Sequence, residues 1–158
     1  MNHPKLPRLI HLDPILYTNS NSIYSFTIQT NNSISYFRNL ALGLKLIECL
    51  KESRDKDNCY VACYCFMPDH LHLVCGPKTD GISVLTFIDR FKGRSTRISW
   101  DFGVKRILWQ KRNYDHIIRH NEDLDAQISY ILNNSVRKEM VNKWEDYPLC
   151  GYLDSLPF

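Results

Sequence analysis

The sequence contains no apolar run that approaches the length of a membrane-spanning helix. Its six cysteines form no CxxC pair, and no apolar signal segment precedes them. Excess charge is also lacking, since the formal net charge of the chain is only +3. These absences disfavour a membrane protein, a cysteine-rich metal site and a disulfide-stabilised secreted domain. We expect a cytoplasmic protein whose cysteines are reduced thiols, mostly buried.

Length and composition predict one folded domain over residues 1–158. Hydrophobic residues make up 44% of the chain and charged residues 23%, which is typical of a globular protein rather than a disordered one. The sequence shows neither an internal repeat nor a domain boundary. Pro4, Pro7 and Pro14 indicate an irregular arm over residues 1–20.

Periodic patterns predict the elements of the first half of the chain. Apolar and polar side chains alternate over residues 24–30, and apolar residues recur at helical spacing over residues 35–53. Strand-forming residues fill 60–66 and 70–75 on either side of a Met-Pro-Asp break. This tight connection predicts an antiparallel pair of strands.

The second half adds a helix capped by Ser83, a strand over residues 107–110 and a last helix. The last helix is predicted to open with Asn121, Glu122 and Asp123 and to reach residue 134 or beyond. The order is then strand, helix, strand, strand, helix, strand, helix. It predicts an α+β fold: a ferredoxin-like sandwich, with an antiparallel sheet that carries helices on one face and an extra C-terminal helix.

Two histidines stand two residues apart in the second of the paired strands. His70 and His72 should project from the same face of the strand, while Leu71 and Leu73 point into the core. Two adjacent imidazoles can hold one divalent metal ion, although partly exposed histidines without a ligand are the alternative. Val74 stands where a histidine-triad nucleotide hydrolase has its third histidine, which disfavours that class.

The last helix has an apolar face and a polar stripe. The apolar face consists of Leu124, Ile128, Ile131 and Leu132. The polar stripe consists of Asp123, Gln127, Tyr130, Asn134 and Arg137. Tyr130 stands at the centre of the stripe, where it would line a site or, in the alternative, simply face solvent.

Basic residues concentrate between residues 90 and 119, where only Asp101 and Asp115 oppose them. They are Arg90, Lys92, Arg94, Arg97, Lys105, Arg106, Lys111, Arg112 and Arg119. Such a stretch in a nearly neutral chain indicates a phosphate-binding surface, with an ordinary solvated face as the alternative.

Three segments resemble one family, the single-tyrosine HUH transposases. The six residues from Met67 to His72 resemble the HUH segment of that family. Trp109-Gln110, followed by Tyr114-Asp115-His116 and Arg119, resembles a later block of its REP-associated branch. The segment from Tyr130 to Asn134 resembles the catalytic-helix motif of that branch, although Ser135 replaces the usual proline. The resemblance extends from about Tyr24 to Trp144.

The resemblance implies a metal-dependent transposase or endonuclease that cleaves and rejoins single-stranded DNA. It implies that Tyr130 is the nucleophile, leaving a 5′-phosphotyrosine and a free 3′-OH. It also implies that His70, His72 and Asn134 bind Mg²⁺ or Mn²⁺. Tyr114 is the second candidate nucleophile, but the residue four positions later is isoleucine and cannot be a ligand.

The expected partner is single-stranded DNA that contains a hairpin, with a homodimer left open and no membrane. Candidate phosphate contacts are Arg90, Arg94, Arg97, Lys111 and Arg112. Trp109 is a candidate for stacking on an unpaired base, with a place in the core as the alternative. His116 would contact the DNA or support a residue of the site, with a structural histidine as the alternative. Two other function classes remain open: a nucleic-acid-binding module without catalysis, and a metal-dependent hydrolase of phosphoesters.

Overall fold

The computed structural model of the protein describes residues 13–119 and 122–156. Its strands are Ile23–Gln29 (β1), Cys59–Met67 (β2), His70–Pro77 (β3), Tyr114–Ile118 (β4) and Cys150–Tyr152 (β5). Its α-helices are Leu40–Lys56 (α1), Val84–Trp100 (α2), Leu124–Leu132 (α3) and Asn134–Arg137 (α4). The strands form one antiparallel sheet in the order β4-β1-β3-β2-β5. The predicted ferredoxin-like α+β fold is confirmed, since β1 to β4 with α1 and α2 follow that topology.

The two faces of the sheet differ in polarity. Along β1 and β3, fully buried side chains such as Phe26 and Leu71 alternate with more exposed ones such as Thr27 and His72. The buried set forms the core with α1 and α2, which also pack against each other. We call the other face, which carries Thr27, His70 and His72, the histidine face. The C-terminal helix α3 packs against β2 and β3.

Side-chain caps fix where the helices begin. Ser83 accepts a hydrogen bond from the backbone N–H of Thr86 at 3.3 Å, so the predicted cap of α2 is confirmed. The helix continues through Gly93 to Trp100. Asp123 caps α3 by accepting from the N–H of Ala126 at 3.0 Å. The predicted opening of this helix at residue 121 is therefore too early, although residues 120 and 121 themselves lie outside the described residues.

The strand predicted over residues 107–110 is wrong. That segment makes only an isolated bridge between Trp109 and Thr30, and the strand lies later, at β4. Lys92 explains the loop, because its ammonium donates to the carbonyl of Gln110 at 2.6 Å and to the side chain of Asn113 at 2.9 Å. These bonds hold residues 110–113 to α2 and delay their return to the sheet.

The N-terminal arm and the cysteines complete the description. Residues 1–12 of the predicted arm lie outside the described residues, and Pro14–Tyr17 forms a single 3₁₀ turn capped by Asp13. All six cysteines are free thiols, and five of them are buried. No helix within the described residues is both long enough and apolar enough to cross a membrane.

Candidate active site

The two histidines of β3 meet at their ring nitrogens. The Nε2 atoms of His70 and His72 lie 3.1 Å apart, and the rings pack edge to face. The other nitrogen of each ring has its own partner. Nδ1 of His70 is 2.6 Å from the carboxylate of Asp69, and Nδ1 of His72 is 2.9 Å from the hydroxyl of Thr27, its cross-strand neighbour on β1.

One choice of tautomers satisfies all of these contacts without a metal. His70 donates from Nδ1 to Asp69 and accepts at Nε2 from His72, while Thr27 donates to Nδ1 of His72. If the His72 proton moves from Nε2 to Nδ1, the new Nδ1–H can donate a hydrogen bond to the Thr27 hydroxyl, because a hydroxyl can accept as well as donate. Each Nε2 atom then carries a lone pair, so the two adjacent nitrogens are a donor set for a cation.

The geometry of the histidine pair fits one divalent ion. Two ligands at right angles on an octahedral ion, each about 2.1 Å from it, lie about 3 Å apart. The observed Nε2 separation is 3.1 Å. The contact between Asp69 and His70 is the carboxylate–histidine pattern that orients metal-binding imidazoles. Within residues 13–119 and 122–156, no three His, Cys, Asp or Glu side chains form a metal-binding group.

The electrostatic surroundings keep His72 neutral. Burial, and after it the charges of His70 and Arg137, lower the pKa of His72 to about 4. At pH 7 the imidazole therefore keeps a lone pair that a metal ion can use. Arg137 belongs to α4, which packs against β2, the neighbour of β3 in the sheet.

Arg137 also contacts both residues of the predicted catalytic-helix motif. Its guanidinium carbon lies 3.5 Å from the centre of the Tyr130 ring, in a cation–π contact. Its Nη2 donates to Oδ1 of Asn134 at 3.2 Å. One cation thus connects the tyrosine, the asparagine and the surroundings of His72. The sequence placed Arg137 on the same polar stripe but gave no sign of these contacts.

Tyr130 and Asn134 differ sharply in exposure. Tyr130 is 62% exposed, which leaves its hydroxyl accessible to a large substrate, whereas Asn134 is only 6% exposed. The two residues do not share one unbroken helix, because α3 ends at Leu132 and α4 begins at Asn134. The prediction that Tyr130 lies off the core face of its helix agrees with its exposure.

The predicted phosphate contacts fall into two groups. Arg90 and Arg94 bind the two carboxylate oxygens of Asp57 at 2.7 and 2.9 Å, and the Asp57 side chain is only 3% exposed. These arginines therefore have a structural partner that sequence patterns did not reveal. The exposed residues Arg97, Lys111 and Arg112 make up the second group.

Trp109 lies in the core. It is 3% exposed, its ring packs near Phe37 and Phe91, and its indole N–H donates to the hydroxyl of Ser95 at 2.8 Å. No face of the ring is open to a nucleotide base. The expectation that Trp109 stacks on DNA is therefore corrected, and the core alternative holds.

The remaining motif residues lie on the edge strand β4. Tyr114 is paired with Thr27 across the strands, so it stands near the histidine pair. His116 lies 2.8 Å from the carboxylate of Glu122, and this contact together with the N–H of Arg119 lowers the pKa of Glu122. The Glu122 contact gives His116 a structural partner next to the start of α3.

Comparison with known proteins supports the resemblance of the motifs. The family described as "Transposase IS200 like" matches residues 18–134. A REP-associated tyrosine transposase of Escherichia coli is 25% identical over 131 residues, which cover 80% of this chain and 74% of the relative. A second relative, from Haemophilus influenzae, is 28% identical over 98 residues, and this match spans only 56% of each chain.

A solved structure shares the fold. It is the structure of a REP-associated tyrosine transposase bound to a REP hairpin, with a TM-score of 0.69 and 18% sequence identity. The superposed region covers 85% of this chain and 78% of the other. At this identity the likeness establishes the fold. The sequence match over residues 18–134 establishes the family: the chain belongs to the IS200-like transposases.

Proposed function

We propose that the protein cleaves and rejoins single-stranded DNA through Tyr130, with a divalent metal ion held by His70, His72 and Asn134. The observation that carries the proposal is the position of Arg137. Its guanidinium stacks on Tyr130, bonds to Asn134 and acts electrostatically on His72. This arrangement supports one active site built from β3 and the C-terminal helices.

The chemical step balances within the protein and the DNA. The phenolic oxygen of Tyr130 attacks a backbone phosphorus, and an O–P bond forms as the bond from phosphorus to the 3′ oxygen breaks. The proton that leaves the phenol ends on the 3′ oxygen, which departs as a free 3′-OH. The 5′-phosphotyrosine is itself a phosphodiester and conserves the energy of the broken bond, so the 3′-OH of another strand can reverse the step without ATP.

The site residues divide the work of this reaction. When bound, Mg²⁺ or Mn²⁺ would polarise and orient the scissile phosphate. Asp69 and Thr27 fix the ring orientations of His70 and His72. Arg137 holds Tyr130 from one side of its ring and adds positive charge where a phosphate must approach.

The proposed substrate is single-stranded DNA next to a hairpin. The structural neighbour is a transposase bound to a REP hairpin, and the exposed basic residues of this chain would suit a phosphate backbone. Arg97, Lys111 and Arg112 are the proposed phosphate contacts, whereas Arg90 and Arg94 are paired with Asp57. The six free thiols suit the reducing cytoplasm, where we propose that the protein acts.

The test uses hairpin oligonucleotides with single-stranded flanks, labelled separately at each end. With Mn²⁺, the wild-type protein should release an upstream fragment with a free 3′-OH. The downstream fragment should migrate with the protein on a denaturing gel. Both products should disappear in EDTA and in the His70→Ala, His72→Ala double variant.

Other outcomes would favour the alternative functions. Metal-dependent cleavage that leaves no protein-bound fragment would favour a hydrolase in which water attacks. Salt-sensitive binding to the oligonucleotide without cleavage in Mg²⁺ or Mn²⁺ would favour a binding module that lacks catalysis. Mn²⁺ affinity that is unchanged in the double histidine variant would contradict the metal assignment.

A further inference from the structure

A second tryptophan, Trp100, stands exposed at the end of α2. It is 52% exposed, in contrast to the buried Trp109. Its indole N–H donates to the backbone carbonyl of Arg106 at 2.6 Å, so the ring is held in place rather than swinging freely. Arg106 has a φ of 67°, which is uncommon for a residue other than glycine. The loop after α2 thus adopts an unusual conformation that fixes an aromatic ring at the surface.

Basic residues stand on both sides of Trp100 in the sequence. Residues 97–112 contain five basic residues and one acidic residue, Asp101. The basic residues are Arg97, Lys105, Arg106, Lys111 and Arg112, and all of them are exposed. The net charge of this short segment is larger than the +3 of the whole chain, so the remainder of the chain is close to neutral. Proteins that bind single-stranded nucleic acid combine exposed aromatic rings with basic residues, and this segment has both.

The segment lies at the same end of the sheet as the histidine pair. The carbonyl of Leu108 accepts from the N–H of Asn31, and the N–H of Gln110 donates to the carbonyl of Gln29, each at 2.8 Å. Gln29 is the cross-strand partner of His70. DNA held by this segment would therefore lie at the end of the sheet that carries the proposed active site, while α2 itself packs on the opposite face.

We propose that Trp100 is a stacking platform for an unpaired DNA base, flanked by phosphate contacts from the surrounding basic residues. The proposal rests on the proposed function, because it names how the same substrate is held outside the reacting site. Double-stranded DNA would not use the platform, since the faces of its bases are already covered by their neighbours in the stack. The contribution of Trp100 should therefore be specific for single strands, while the basic residues act on both forms.

The test is equilibrium binding in EDTA, where no cleavage takes place. The probe is a fluorescently labelled single strand of about 12 nucleotides, a length within the range of one such binding site, and the matched probe is its blunt duplex. Replacing Trp100 by alanine should weaken single-strand binding by about 5- to 150-fold, the range for loss of one stacked base. Duplex binding should not change, and neither should the dependence of the affinity on salt.

Two variants separate stacking from the support that the indole gives to the loop. Trp100→Phe keeps a ring but removes the N–H that bonds to Arg106, and it should retain most of the single-strand affinity. Tyr152→Ala removes another aromatic side chain, 61% exposed, that lies outside the basic segment, and it should bind like the wild type. If the phenylalanine variant loses as much affinity as the alanine variant, the loop and not the ring matters, and the platform is contradicted.

The outcome is distinguishable from failure of the proposed function. If the chain never cleaves DNA but Trp100→Ala selectively weakens single-strand binding, the stacking role of Trp100 is supported and the proposed strand-transfer activity is contradicted. If the wild type cleaves through Tyr130 but Trp100→Ala binds single strands normally, the stacking role of Trp100 is refuted and the proposed activity is supported. Wild-type protein that does not bind the single strand would also refute the platform.

Discussion

Acidification from pH 7 to pH 5 should destabilise the protein through His72. Burial and the neighbouring charges lower its pKa from 6.5 to about 4 in the folded chain, whereas the unfolded chain keeps the ordinary value. The unfolded state therefore binds more protons between these two values, and the stability falls as the pH falls through that window. The shift predicts that the free energy of unfolding drops by about 2 kcal/mol between pH 7 and pH 5.

The assay is thermal or urea unfolding in EDTA at both pH values, with His72→Gln as the matched variant. A change of this size corresponds to a fall in Tm of about 4–8 °C for a chain of this length. His72→Gln has no titrating ring, so it should lose clearly less stability over the same interval. Carboxylates with lowered pKa values, such as Glu122 and Asp80, are present in both proteins and cancel in the comparison. Equal losses in the two proteins would refute the reasoning.

Three further predictions follow from contacts of the site and the core. Thr27→Val removes the acceptor for the Nδ1–H of His72, so Mn²⁺ binding measured by calorimetric titration should weaken about tenfold or more. Unchanged Mn²⁺ affinity would contradict the role of Thr27 in orienting His72. Asp57→Asn removes the buried negative charge that binds Arg90 and Arg94, so the free energy of unfolding in urea should fall by about 2 kcal/mol. A stability equal to that of the wild type would contradict a structural role for these ion pairs. Arg137→Gln loses a cation–π contact worth about 0.5–1 kcal/mol and a hydrogen bond to Asn134 worth about 1 kcal/mol, so its unfolding free energy should fall by only about 2 kcal/mol. Its single-turnover cleavage should slow by at least about tenfold, and cleavage at the wild-type rate would exclude Arg137 from the site.

Local periodicity was sufficient to predict the central sheet. The β2–β3 pair follows from two runs of strand-forming residues joined by a tight connection, and the placement of His70 and His72 on one face follows from side-chain alternation. The edge strand β4 was missed because its position depends on a tertiary contact. Lys92 of α2 holds the preceding loop by three hydrogen bonds, and nothing near residues 107–113 in the sequence indicates this.

The candidate site was predictable in its residue types but not in its contacts. The partnership of Arg90 and Arg94 with Asp57 joins residues 33 and 37 positions apart, so charge clustering alone suggested phosphate binding. Thr27 reaches His72 only through the cross-strand register of β1 and β3. Such contacts depend on the assembled sheet and leave no local pattern.

Helical geometry could have distinguished the two tryptophans. At 100° per residue, Trp100 lies about 160° from the first core residue of α2, Val84, and so points away from the core. Trp109 precedes a basic pair in an irregular segment, where neither periodicity nor composition indicates burial. Its place between Phe37 and Phe91 is set by tertiary packing.

The central claim, that Tyr130 is the nucleophile, is tested most directly by trapping its covalent adduct with DNA. Wild-type protein and the Tyr130→Phe and Tyr114→Phe variants would be incubated with Mn²⁺ and a hairpin oligonucleotide labelled at its 3′ end, then separated on a denaturing gel. Because the Tyr130 side chain is 62% exposed, removing its hydroxyl should leave folding and DNA binding intact. We predict that Tyr130→Phe forms no adduct, that Tyr114→Phe still does, and that digestion places the DNA on the peptide containing Tyr130. Cleavage by Tyr130→Phe at the wild-type rate, or an adduct on Tyr114, would contradict the account.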